Sequence, residues 1–127
     1  MSDIFEIKNT AKIRTTESNK EFYKLMVDKG IFDNQHQLFT YAFLVAIYEN
    51  LKPNKDVKTE DICFVDNILN KHESNFNIVK GIALMKLDAE NGDDLLRQML
   101  EYADAGIKVL RKEYENDGVL RLDKYID

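Results

Sequence analysis

The sequence contains a single cysteine, Cys63, so no intramolecular disulfide can form and no thiolate-rich metal cluster can be built. Proline occurs once, at Pro53, and glycine five times, which excludes collagen-like and Pro/Gly-rich disordered chains. Histidine occurs twice, at His36 and His72, and neither has a second His or Cys at ligand spacing; a solvated or capping role is expected for both. The longest apolar run, Tyr41 to Tyr48, is far shorter than the roughly 18–20 residues of a membrane span. Met1-Ser2-Asp3 opens no basic and then apolar leader, so a cytoplasmic protein is expected. Positive charge is also short: 18 Lys and Arg stand against 23 Asp and Glu, a net charge of −5. Bulk charge therefore gives no drive to coat nucleic acid or an anionic membrane.

What remains is a chain of 127 residues, 44% hydrophobic and 32% charged, with 13 aromatic side chains (seven Phe and six Tyr). That composition and length fit one globular domain. The charge is uneven along it. Residues 1–52 carry seven basic and seven acidic side chains, whereas 53–127 carry eleven and sixteen. The break falls at Leu51-Lys52-Pro53-Asn54-Lys55-Asp56, the most loop-like stretch. The expected organisation is a strand plus two helices over 1–52 and an acidic helical part over 53–127, both within one compact domain.

Lys12-Ile13-Arg14-Thr15-Thr16 alternates at the period of a strand. A Thr16 or Ser18 cap then opens a helix with Phe22, Leu25 and Met26 on one face, ended by Gly30 as a left-handed C-cap. Asp33 or Asn34 caps a second helix reaching about Leu51. Its Leu38, Phe39, Ala42, Phe43, Val45, Ala46 and Ile47 leave almost no polar face, as in a central buried helix. Three more helices are expected in the acidic half. One follows Thr59, with Ile62, Val65, Ile68 and Leu69 as its stripe. One starts at Ser74 or Asn75, with Phe76, Val79, Ile82, Ala83 and Leu87 inward, and ends at Asn91-Gly92. The longest starts at Asp93 or Asp94 and closes at Asp117-Gly118. Val119 to Ile126 is too short to assign. The fold class is mainly α, about five helices with a short N-terminal β element. A helix apolar on all sides in so short a chain predicts a homodimer.

No chemistry-bearing constellation emerges. Cys63 lies beside an apolar stripe and reads as a small buried hydrophobe. Glu60-Asp61 and Asp93-Asp94 stand at helix starts, where the macrodipole accounts for them. The glycines match neither a dinucleotide nor a phosphate loop. No enzyme activity, catalytic residue, metal or cofactor is expected. Gly81 and Gly106 fall inside helices, at a cost of about 1 kcal/mol relative to Ala, and close helix approach around Ala103-Asp104-Ala105-Gly106 is the simplest reason.

The order of a partly basic strand, a short helix, a Gly turn and a longer apolar helix, from Lys12 through Gly30 to Ala46, resembles the ribbon-helix-helix family of DNA-binding proteins. The resemblance implies strands from two chains paired antiparallel in a major groove. Lys12, Arg14 and Thr16 would then face base edges, Ile13 and Thr15 the dimer core, and the start of the second helix at Asn34 a phosphate. Over roughly Lys12 to Leu110 there is a second likeness. Gly30-Ile31-Phe32 leading into the apolar helix, with Glu101-Tyr102-Ala103-Asp104-Ala105-Gly106 inside the last one, resembles small proteins of bacterial DNA phosphorothioation (Dnd) systems. It implies an accessory role in DNA modification and phage defence. The alternative is a protein–protein adaptor whose acidic half docks on a larger defence enzyme through the region of Glu101 and Asp104, without DNA contact.

Overall fold

The computed structural model describes residues 4, 5, 7, 11–55, 60–64 and 76–118. In chain order these form β1 (Lys12–Thr15), α1 (Glu17–Asp28), α2 (Gln35–Tyr48), β2 (Glu60–Phe64), α3 (Phe76–Lys86) and α4 (Gly92–Asp117). The protein is mainly helical with a short N-terminal strand. α2 and α4 form the most extensive element pair, and α1, α3 and the β1–β2 ribbon pack around it.

The helix boundaries follow from the residues placed there. Asn34 caps α2, its side-chain oxygen accepting from Gln37 N–H at 3.0 Å, while Gln37 Oε1 accepts from Asp33 N–H at 3.0 Å. α1 ends in a Schellman pair: Gly30 N–H donates to Val27 and Ile31 N–H to Met26, with Gly30 at φ +72°. The same pair closes α2, where Asn50 (φ 54°) takes the left-handed position and Leu51 N–H reaches Ala46 O at 2.9 Å. α4 opens at Gly92, one or two residues before Asp93 and Asp94, because Asn91 is the cap, accepting from Asp94 N–H at 2.9 Å. A hydrogen bond from Glu90 N–H, and then Arg97, holds the Asp94 carboxyl below its ordinary range. α3 stops at Lys86 rather than at Asn91-Gly92.

Three expectations are corrected. The helix proposed after Thr59 is instead β2 over its described part; Thr59 and 65–69 lie outside the described residues. A strand at β1 needs a partner for its backbone N–H and C=O groups, and Ile62-Cys63-Phe64 has the composition to supply one. The ladder is antiparallel, Lys12 facing Phe64, Ile13 facing Cys63, Arg14 facing Asp61 and Thr15 facing Glu60, with Ile62 the extra residue of a bulge. So β1 pairs within its own chain, not with a second copy as the ribbon-helix-helix likeness implies. Nor does the apolar surface of α2 need a second copy to cover it. Leu38, Phe39, Ala42, Phe43, Val45 and Ala46 are buried by the chain's own elements, chiefly by α4 with Leu95, Met99, Ala103, Ile107 and Leu110. On α1, the inward stripe is Asn19, Phe22, Tyr23 and Met26, leaving Leu25 on the surface. The terminal stretch 119–126 and His72 lie outside the described residues.

The α2–α4 approach is set by Gly106. A Cβ placed there would meet the Ala42 carbonyl oxygen at 2.0 Å and its carbon at 2.8 Å, so backbone lies against backbone. Gly81 has nothing within 4 Å. The two glycines therefore predict opposite outcomes in urea denaturation. Gly106→Ala lowers stability by about 1–3 kcal/mol or more through overpacking. Gly81→Ala raises it by up to about 1 kcal/mol through helix propensity. Shifts of the same sign would contradict the packing.

Candidate functional site

A buried polar cluster sits at mid-α4, with a groove beside it. The cluster is assembled from four parts of the chain. Thr15 ends β1, Asn19 follows in the first turns of α1, Asn54 sits in the segment after α2, and Asp104 is at the middle of α4. Asp104 is only 2% exposed, Thr15 1% and Asn19 4%. Asp104 Oδ1 accepts from the Thr15 hydroxyl at 2.5 Å and from Asn19 Nδ2 at 3.0 Å, and Oδ2 accepts from Asn54 Nδ2 at 2.8 Å. Asn54 also donates its backbone N–H to Glu101 O at 2.9 Å. The chain of bonds continues one residue further out, where Arg111 Nη1 donates to Asn19 Oδ1 at 2.8 Å.

Burying a carboxylate is costly unless hydrogen bonds replace its water. Donors to a charged acceptor contribute about 1.5–3 kcal/mol each, and here they come from β1, α1 and the segment after α2. The cluster thus ties β1, α1 and the post-α2 segment to α4. With 2% of its surface exposed, Asp104 offers no access to a dissolved substrate, so the arrangement works as a tie and not as a proton-transfer site.

The groove runs between α1 and the C-terminal half of α4, about 520 Å³ lined by Ser18, Glu21, Phe22, Leu25, Arg111, Tyr114 and Glu115. The lining residues of α1 recur at i, i+3, i+4 and i+7, and those of α4 at i, i+3 and i+4, so each helix presents one continuous strip. The floor is aromatic: the Phe22 and Tyr114 rings meet edge to face with centroids 6.1 Å apart. Leu25 is 37% exposed at its edge. Arg111 forms one wall, held by Asn19 and lying 3.9 Å from Glu115. A shallower hollow lined by Glu17, Ser18 and Glu21 adjoins it.

The residues proposed from sequence are placed as follows. Lys12 and Arg14 are exposed on β1, while Ile13 and Thr15 are buried in the chain's own core. Asp61 stands at the register position opposite Arg14 and Glu60 opposite Thr15, so the ribbon is of mixed sign. Thr16 is the half-buried N-cap of α1, and Asn34 is engaged in capping α2. The proposed docking pair is corrected. Asp104 is turned into the core, and Glu101 is ion-paired with Arg97 at 3.0 Å along α4. Asp104 therefore presents no outward charge for a partner. His36 lies in the first turn of α2 and Cys63 on β2. In sequence the helix dipole accounts for Glu17 and Glu21 at the start of α1 and an apolar stripe accounts for Tyr114, so the groove's signal is the i, i+3, i+4 spacing of Arg111, Tyr114 and Glu115.

Among the described residues, no group of three or more His, Cys, Asp or Glu side chains is placed to hold a metal ion, and no helix is long and apolar enough to cross a membrane. No protein-family model matches the sequence, and no curated protein or solved structure is similar to it.

The tie makes a prediction. Asp104→Asn keeps the shape but turns an amide toward a side chain that is itself a donor. Equilibrium denaturation should show a loss of about 1–3 kcal/mol, and Thr15→Val should cost less in that background than in the wild type. Additive losses would contradict a shared network.

Proposed function

We propose that this chain is a non-enzymatic protein–protein adaptor of the cytoplasm that seats a partner in the groove between α1 and α4. The observation that carries the reading is a groove between two helices lined by Phe22, Leu25 and Tyr114, in which Phe22 is nearly buried and Leu25 is exposed at the edge. Concave sites with an apolar floor and a few polar groups at the edge are where proteins hold partners and ligands. The acidic docking surface moves accordingly, from Glu101 and Asp104 to the groove.

A second reading keeps DNA contact through β1, within an accessory role in a DNA-modification or phage-defence system. The exposure of Lys12 and Arg14 favours it. The stretch Glu101 to Gly106, on which the phosphorothioation likeness rests, has a packing explanation of its own in Asp104 and Gly106.

The two readings separate by experiment. A photo-crosslinking side chain at Leu25, in cells, should trap one protein species that the same group at Met85, exposed on α3, does not. Identical adducts from both positions, or none from Leu25, would refute the adaptor reading. On the DNA reading, duplex binding at low salt falls with a log–log salt slope of about −2, from two phosphate contacts, and is lost in Lys12→Ala/Arg14→Ala.

A further inference from the structure

The groove has a charge pattern as well as an apolar floor. Its lining holds two carboxylates, Glu21 and Glu115, and the adjoining hollow adds Glu17, against the single guanidinium of Arg111. Three negative groups against one positive leave a local net charge of −2. The positive one is turned inward: Arg111 gives Nη1 to Asn19 and lies within 3.9 Å of Glu115, and its side chain is 27% exposed against 66% for Glu115. Lys20 and Lys24 of α1 are not among the lining residues. Glu17 and Glu21 are also spaced i, i+4 on α1, a like-charge pair that weakens an isolated helix. An apolar floor, acidic edges and an inward-held arginine make a surface complementary to a cation-flanked apolar segment.

From this charge complementarity we infer that the occupant is a basic amphipathic helix of a partner protein, an inference that rests on the adaptor reading. Its apolar side chains, spaced i and i+3 or i+4, lie on Phe22, Leu25 and Tyr114. Its flanking Lys or Arg side chains meet Glu17, Glu21 and Glu115. The α1 strip from Ser18 to Leu25 covers eight residues, seven steps of 1.5 Å or about 10 Å, which receives about two turns of helix. Two turns present two or three anchors, the pattern of helix-in-groove recognition. The chain's net charge of −5 adds long-range attraction for such a segment but does not choose its seat; the groove carboxylates do.

The test uses the full chain and two synthetic peptides with identical apolar positions, one with lysine at the flanking positions and the other with glutamate, followed by fluorescence anisotropy. The lysine peptide should bind saturably, and the glutamate peptide at least about tenfold more weakly. Glu21→Lys/Glu115→Lys should weaken the lysine peptide by about tenfold or more, with circular dichroism and melting unchanged. Glu49→Lys/Asp88→Lys makes the same change in net charge at exposed positions away from the groove, and should weaken it by less than about threefold. Equal losses in the two double variants, equal binding of the two peptides, or no saturable binding would overturn the inference. If crosslinking from Leu25 still traps a protein while the peptides are not discriminated, the adaptor reading stands and the partner's chemistry is wrong. If both experiments fail, the adaptor reading falls too.

Discussion

The arrangement depends on α4 lying directly against α2, backbone on backbone, at Gly106 and Ala42. A side chain at 106 would push the helices apart, and with them the packing of Phe39, Phe43, Met99 and Ile107, all at 0% exposure. Two residues earlier on α4, Asp104 takes hydrogen bonds from Thr15, Asn19 and Asn54. One short stretch of α4 therefore does two jobs by different physics. Shape complementarity fixes its distance from α2, and a satisfied buried charge fixes which other segments meet there. Because the carboxylate is costly to bury without its donors, the tie favours this set of neighbours over slipped alternatives.

Much of this was legible in the sequence. Gly30 and Gly118 take the positive φ that a left-handed C-cap asks for, Asn34 caps α2, and the continuous apolar surface of α2 marks the central helix. Gly106 in a helix interior, beside the small residues Ala103 and Ala105, signals close approach through its propensity cost, whereas Gly81 carries the same cost with nothing within 4 Å. The limits are equally physical. Over 60–64 the apolar residues fit a helical stripe, and only the unmet backbone groups of β1, a non-local demand, make that segment a strand. Local charge counting places Asp104 on an acidic surface because nothing in the neighbouring residues reveals donors at positions 15, 19 and 54. The premise for a dimer failed for a related reason. An all-round apolar helix states how much surface must be covered, and not whether a second chain or the chain's own α4 covers it.

The groove is a consequence of the same frame. Asn19 is held by Asp104, and Arg111 is held by Asn19, so the guanidinium on the groove wall is oriented by the buried tie beneath it. Core and surface are thus coupled through two hydrogen bonds. Phe22 lies at the boundary, nearly buried yet lining the groove, where its ring meets Tyr114. A site built on two packed helices is held more firmly than one on loops, which suits recognition of a preformed helical segment.

The central claim is that one chain covers its own apolar middle, α4 lying on α2, without a second copy. Thermal unfolding across about a hundredfold range of protein concentration tests it most directly, because mass action makes the midpoint of an obligate dimer rise with concentration. The account predicts one cooperative transition with an unchanged midpoint. A midpoint that climbs steadily with concentration would show that a second chain completes the core, and would contradict it.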